Sequence, residues 1–275
     1  MASTIRRIQP SRIVVPIIAF LLGLVARFIW TPNPPDWRWL ILLLPLLALA
    51  FVAYAWERLS PREVRVRFEA PITIETDEDK ERYARAGLIA FVSKYRSGVP
   101  PDVVKAARST GDYASLNFLN SNLEPVIHAA NSHGPKLRYC WLISSRSTMK
   151  RPGSDEDAEL LAKYLAEEGG FGDCQFFFDT SCKVSINNDQ EIPGKTRDVL
   201  QDVFRAAGKL GLKPKDMVVD ITGGVGSMTL GAVLACLDKT RDLEVVLTHY
   251  GDNGERIPHD LTTIIAPFES IAEEK

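Results

Sequence analysis

The stretch Val218-Val219-Asp220-Ile221-Thr222-Gly223-Gly224-Val225-Gly226-Ser227-Met228 restricts the possible folds of this chain more than any other. Met217 to Ile221 is a short apolar run that ends on an acid, which suits a buried parallel strand. Thr222 to Ser227 packs three glycines and two hydroxyl residues into six positions, and Met228 to Leu237 then carries apolar and small residues at helical spacing. Strand, glycine turn and helix in this order set bare backbone N–H groups and the positive end of a helix beside one another, where an anion is favoured. Neither phosphate-loop fingerprint is present. No Gly-Lys-Ser/Thr follows, and Thr229 stands where a dinucleotide motif would place its third glycine.

Around this stretch the second half of the chain alternates strand and helix. Leu137 to Ile143 reads as a strand, followed by the hydroxyl-rich loop Ser144-Ser145-Arg146-Ser147-Thr148 and then Lys150-Arg151. Ser154-Asp155-Glu156-Asp157 opens a helix that runs to about Glu168 and stops at Gly169-Gly170. Gln175 to Phe178 is a strand, Thr196 to Leu210 an amphipathic helix, and Leu243 to Thr248 and Thr262 to Ala266 are further strands. The fold class expected is α/β, a Rossmann-like, doubly wound and mostly parallel sheet over residues 136–275. Ligands of such sheets sit outside the carboxyl ends of the strands, where the loops 144–148 and 222–228 emerge.

The N-terminal fifth is different in kind. Ile13 to Trp30 is apolar except for Arg27, and Trp39 to Trp56 has no charge; each run has 18 residues, close to the roughly 20 that cross a bilayer core. Between them Pro32, Pro34 and Pro35 stop a helix, and Trp30, Trp37, Trp39, Tyr54 and Trp56 fall at interface levels. Residues 1–59 therefore read as a two-helix transmembrane hairpin. Residues 1–67 hold nine arginines against Asp36, Glu57 and Glu63, net +6, which leaves about −8 for the rest of a chain whose total is −2. With arginines clustered outside both spans, both termini are expected on the cytoplasmic side of the inner membrane. The acidic remainder argues against a nucleic-acid duplex as partner.

Residues 60–135 read as a mainly helical connector, with a helix over Asp77 to Tyr95 that buries Leu88, Ile89, Phe91 and Val92. Cys140, Cys174, Cys182 and Cys236 show no metal-ligand spacing, and the four histidines are scattered, so neither a metal nor another resident cofactor is expected.

The residues Asp220, Thr222, Gly223, Gly224 and Met228 resemble the Asp-x-Thr-Gly-Gly-Thr-Lys-x-Met signature of CARF domains, the Rossmann-like sensors of cyclic oligoadenylate in type III CRISPR systems. Val225-Gly226 stands where many members carry Thr-Lys. The resemblance covers roughly Lys136 to Phe268. It implies ligand contacts at Ser144, Ser145, Arg146, Ser147 and Thr148, and at Thr222, Gly223, Gly224, Val225, Gly226, Ser227 and Met228. It further implies a homodimer whose twofold axis runs through a symmetric ligand, with cyclic tetra-adenylate as the expected ring. The hairpin would then be the effector, opening a pore or disturbing the bilayer when the messenger binds, and the protein would not be an enzyme. Two alternatives stay open from sequence: a membrane-anchored ring nuclease, and a cyclic-nucleotide sensor from another antiphage pathway.

Overall fold

Thr76 sets the first helix of the described chain. Its hydroxyl accepts from the Asp79 N–H at 3.1 Å while the Asp79 carboxylate accepts from the Thr76 N–H at 3.0 Å, a reciprocal cap. The computed structural model describes residues 66–68, 70–148, 152–239, 241–251 and 256–270. Val64–Lys275 forms one compact unit. In chain order its elements are strands β1 (Val66–Phe68) and β2 (Ile72–Ile74), helix α1 (Asp77–Tyr83), β3 (Gly87–Phe91), α2 (Pro101–Thr110), α3 (Glu124–His133) and β4 (Tyr139–Arg146). There follow α4 (Asp155–Glu167), β5 (Gln175–Phe177), β6 (Lys183–Ser185), α5 (Ile192–Lys209), β7 (Met217–Asp220), α6 (Gly226–Lys239), β8 (Asp242–Tyr250), β9 (Arg256–Ala266) and β10 (Phe268–Ser270).

The main sheet runs β2-β9-β8-β7-β3-β4-β5, with β6 paired to the far end of β4. From β8 to β5 and β6 all pairings are parallel; β9 is antiparallel to β8, and β2 to β9. β1 and β10 form a separate antiparallel pair. The parallel part has the doubly wound order, with a chain reversal between β3 and β7. Alternate residues of each strand face opposite layers. Leu88, Ala90, Cys140, Leu142 and Val218 pack with α2, α3 and α4. Ile89, Phe91, Trp141, Ile143 and Val219 pack with α5 and α6. The chain is thus a mixed α/β protein with helices on both faces of a mostly parallel sheet.

Two sequence expectations fail here. Ser144, Ser145 and Arg146, expected in a loop, continue β4 and pair with β6, because a further parallel strand is there to bond them. The helix expected over residues 77–95 ends at Tyr83, and Gly87–Phe91 is a strand whose five residues are all buried. It lies at the centre of the sheet, bonded to β4 on one side and β7 on the other. Segment 60–135 therefore does not stand apart as a helical connector, and the sheet is not confined to residues beyond 136. Among the described residues no helix is long and apolar enough to cross a membrane. The two apolar runs expected as a hairpin, 13–30 and 39–56, lie outside the described residues.

Candidate functional site

At the chain reversal the carboxyl ends of β3, β4 and β7 open into a cleft of about 640 Å³. Its floor is set by two close backbone approaches. A Cβ on Gly223 would lie 2.0 Å from the carbonyl oxygen of Phe91, so only glycine allows the turn after β7 to press against the end of β3. A Cβ on Gly153 would lie 2.2 Å from the Ser145 carbonyl oxygen, so the segment running into α4 is laid similarly close to β4. Ser154 fastens this second approach. Its hydroxyl donates to the Val92 carbonyl at 2.6 Å, it accepts from the Ser145 N–H at 3.0 Å, and its own N–H reaches both the oxygen and the hydroxyl of Ser145.

The third wall comes from the segment after β3. Ser93, Lys94 and Arg96 line the cleft, and Asn122 holds them in place. The Asn122 carboxamide oxygen accepts from the Arg96 N–H at 2.7 Å, while its NH₂ donates to the Ser93 hydroxyl at 2.6 Å and to the Lys94 carbonyl at 2.9 Å. Two exposed cations thus stand on a fixed backbone at the mouth. Ile186, Asp189 and Ile192 close the side opposite.

The helix ends nearby favour an anion. Neither α5 nor α6, both of which begin at the cleft, carries an acid in its first turn; Glu191, which caps α5, is paired with Lys195 at 2.6 Å, and Asp189 is the acid that lines the cleft. α4 does begin with three acids, but each is already engaged. Asp155 accepts from the Ser147 hydroxyl at 2.7 Å and lies 3.7 Å from Lys183; Glu156 and Asp157 are paired with Arg108. Burial works to raise the Asp155 carboxyl, yet the Ser147 bond and the Lys183 charge prevail and hold it below the usual range.

The residues expected from sequence separate cleanly. Gly223, Gly224, Val225, Ser227 and Met228 line the cleft, as does Ser145. The Ser145 hydroxyl is committed to Ser154, 3.2 Å away. Ser144 is fully buried beneath the surface, and the Ser147 hydroxyl braces its own loop by accepting from the Gly153 N–H at 3.0 Å. Arg146 and Thr148 do not line the cleft, nor does Gly226, which opens α6. Lys150 and Arg151 lie outside the described residues. Thr222 is turned inward. Its hydroxyl donates to Asp220 at 2.5 Å and accepts from the Val246 N–H at 2.7 Å, so it has no proton left to donate to a phosphate. The cations that line the cleft are Lys94 and Arg96, not Arg146. Their signal was the unbroken apolar run Leu88–Val92 with polar residues directly after it, which also fits a strand buried on both faces.

All four cysteines are free and buried, and burial raises their thiols, Cys174 and Cys236 to about 12, so none is poised as a nucleophile. No protein-family model matches this chain, and no curated protein matches it.

Proposed function

We propose that the chain is a receptor for cyclic oligoadenylate, with cyclic tetra-adenylate as the ring, and acts as a membrane effector in type III CRISPR defence. The observation that carries the reading is the cleft at the chain reversal. There a glycine turn too tight for any side chain and two cations on a backbone held by Asn122 line one cleft, and α5 and α6, with no acid in their first turns, begin at it. A flexible polyanion with bases needs such a combination: backbone amides and cations for phosphates, and an apolar wall for a base. The CARF-like motif at Asp220–Met228 points to the same ligand class. Lys94 and Arg96 stand in for the lysine that the motif lacks at Gly226. In this reading the apolar runs 13–30 and 39–56 form a hairpin in the inner membrane, both termini cytoplasmic, and a homodimer couples ring binding to the bilayer.

The test is dye release from liposomes carrying the full-length protein. Cyclic tetra-adenylate is expected to trigger release, while cyclic tri- and hexa-adenylate act only at much higher concentration. Lys94→Ala and Arg96→Ala should each raise the concentration required by about tenfold or more, the cost of one charge-assisted bond. Arg146→Ala should leave it unchanged. Release that ignores the ring, or that depends on Arg146 and not on Lys94, would retire the assignment.

A further inference from the structure

Directly behind the glycine turn lies a chain of buried polar groups that the cleft itself does not use. Asp220, the last residue of β7, and Glu244 of β8 are registered opposite each other on adjacent parallel strands, and they are 0% and 1% exposed. Each carboxyl has one oxygen held as an acceptor. Asp220 Oδ1 accepts from the N–H of Thr222 at 2.9 Å and from its hydroxyl at 2.5 Å. The hydroxyl proton must point there, because the Thr222 oxygen already accepts from Val246.

Glu244 Oε2 lies 2.6 Å from Nε2 of the fully buried His133. The Nδ1 of that ring accepts from the Arg85 N–H at 3.2 Å, so the ring proton sits on Nε2 and Glu244 is again the acceptor. The remaining oxygens, Asp220 Oδ2 and Glu244 Oε1, are buried, and among the described residues no protein group bonds either. Two neighbouring buried carboxylates, each with an oxygen that no described protein group bonds, are costly to keep charged together.

We propose that Asp220 and Glu244 share one proton between these two unbonded oxygens, oriented by His133 and Thr222. The proton cuts the negative charge of the wall behind the glycine turn from two to one, so that an anion is repelled less there. Asp220, Glu244 and His133 are thus positioning residues for the turn, and binding of an anion is linked to the proton.

Among the described residues no lysine or arginine is bonded to the pair. α3 contributes His133 and His128, with Glu124 at its start; α1 contributes Lys80, which acts on His128; β4 contributes Cys140. β3 places Ala90 beside Asp220, and β9 places Ile265 beside Glu244, neither charged. Arg85 directs Nη2 to Asp242 and Nη1 to the Tyr83 carbonyl, each at 2.9 Å. Burial first, and the Glu244 charge second, push the Asp220 carboxyl up to about 7, against the bonds from Thr222. An unfolded aspartate titrates near pH ~3.9. The folded value lies above the unfolded one, so the stability conferred by the proton is complete below about pH 4 and is lost as pH rises through about 7.

The experiment is thermal melting of the full-length protein in detergent between pH 5 and pH 8.5. The wild-type midpoint should fall as pH rises toward 7 and level off above it. Asp220→Asn keeps the acceptor for Thr222 and offers an amide N–H to Glu244 in place of the shared proton, so it should melt independently of pH across that window. Glu244→Gln makes the mirror-image replacement and should do the same, which covers the case in which one variant fails to fold. A variant that tracks the wild-type pH curve would overturn the proposal, and so would a wild-type midpoint that does not move.

A second arm rests on the proposed function and uses cyclic tetra-adenylate as the probe. Its Kd for the wild type should rise about threefold to tenfold between pH 6 and pH 8, the field of one partly screened charge, while Asp220→Asn holds the pH 6 value throughout. If the ring does not bind at any pH, the receptor reading fails, and the melting curves alone still decide whether the proton is shared.

Discussion

Gly223 and Gly224 are adjacent and look interchangeable in the motif, yet their surroundings differ. At Gly223 the nearest neighbour of an added methyl is the Phe91 carbonyl, which belongs to the central strand and cannot move without breaking β3 pairing. At Gly224 the nearest atoms are the Thr229 hydroxyl at 3.2 Å and the Phe91 ring at 3.4 Å, both side-chain atoms that can give by a few tenths of an ångström. Gly223→Ala should therefore destabilise the fold by about 1–3 kcal/mol, the usual effect of forcing an atom into a packed site. Gly224→Ala should cost less than about 1 kcal/mol and act on ligand affinity first. Thermal melting of the two variants beside the wild type checks the order. Equal midpoints would mean that the turn does not press on β3 as described. The same inward packing explains Thr222, whose hydroxyl is spent on Asp220 and Val246 and so closes the end of β7 instead of facing a ligand.

How far the sequence could be read depended on what each element had to satisfy. β7, its glycine turn and α6 were legible because three local signals agree there: an apolar run, small residues that permit a close turn, and helical spacing after it. β3 was not legible, since Leu88, Ile89, Phe91 and Val92 match a helical stripe as well as they match a strand covered on both faces. Only pairing with β4 and β7, from residues more than forty positions away, decides between them. The miss carried over to the site, because the cations at the cleft mouth follow that strand. Asn122 was equally hidden: it acts across 26 to 29 positions of sequence, and nothing local marks it. Its three side-chain bonds make a direct prediction. Asn122→Ala should free residues 93–97 to exchange their amide hydrogens faster, and should lower stability by about 1–3 kcal/mol through the donors and acceptors left unpaired. Asn122→Asp keeps the acceptor for Arg96 but loses both donors, and should fall between the two. Hydrogen exchange that is unchanged in that segment would show that the wall is held by something other than Asn122.

At the scale of the molecule, α6 poses the remaining question. One side of the helix is locked in the core through Met228, Ala232, Ala235 and Cys236. The other side presents Leu230 at 52% exposure and Leu234 at 45%, with Val225 at 55% just before the helix. From Ile221 to Leu237 the sequence contains no charged residue. An uncharged, leucine-bearing face of this kind is costly to leave in water and usually marks a contact surface. Val225 belongs both to this face and to the rim of the cleft. If two copies pair α6 against α6 about a twofold axis, both clefts open side by side, and each copy holds one half of a symmetric ring. The proposed function therefore commits to this face as the homodimer contact. Leu230→Glu combined with Leu234→Glu places like charges across the axis and should give a monomer by light scattering. Because both residues are exposed, the fold should change by no more than about 0.5 kcal/mol. The same variant should lose most of its affinity for cyclic tetra-adenylate, since half of the ring's contacts go with the partner. A variant that stays dimeric would place the contact elsewhere, and a monomer that binds the ring at full strength would mean that one cleft suffices.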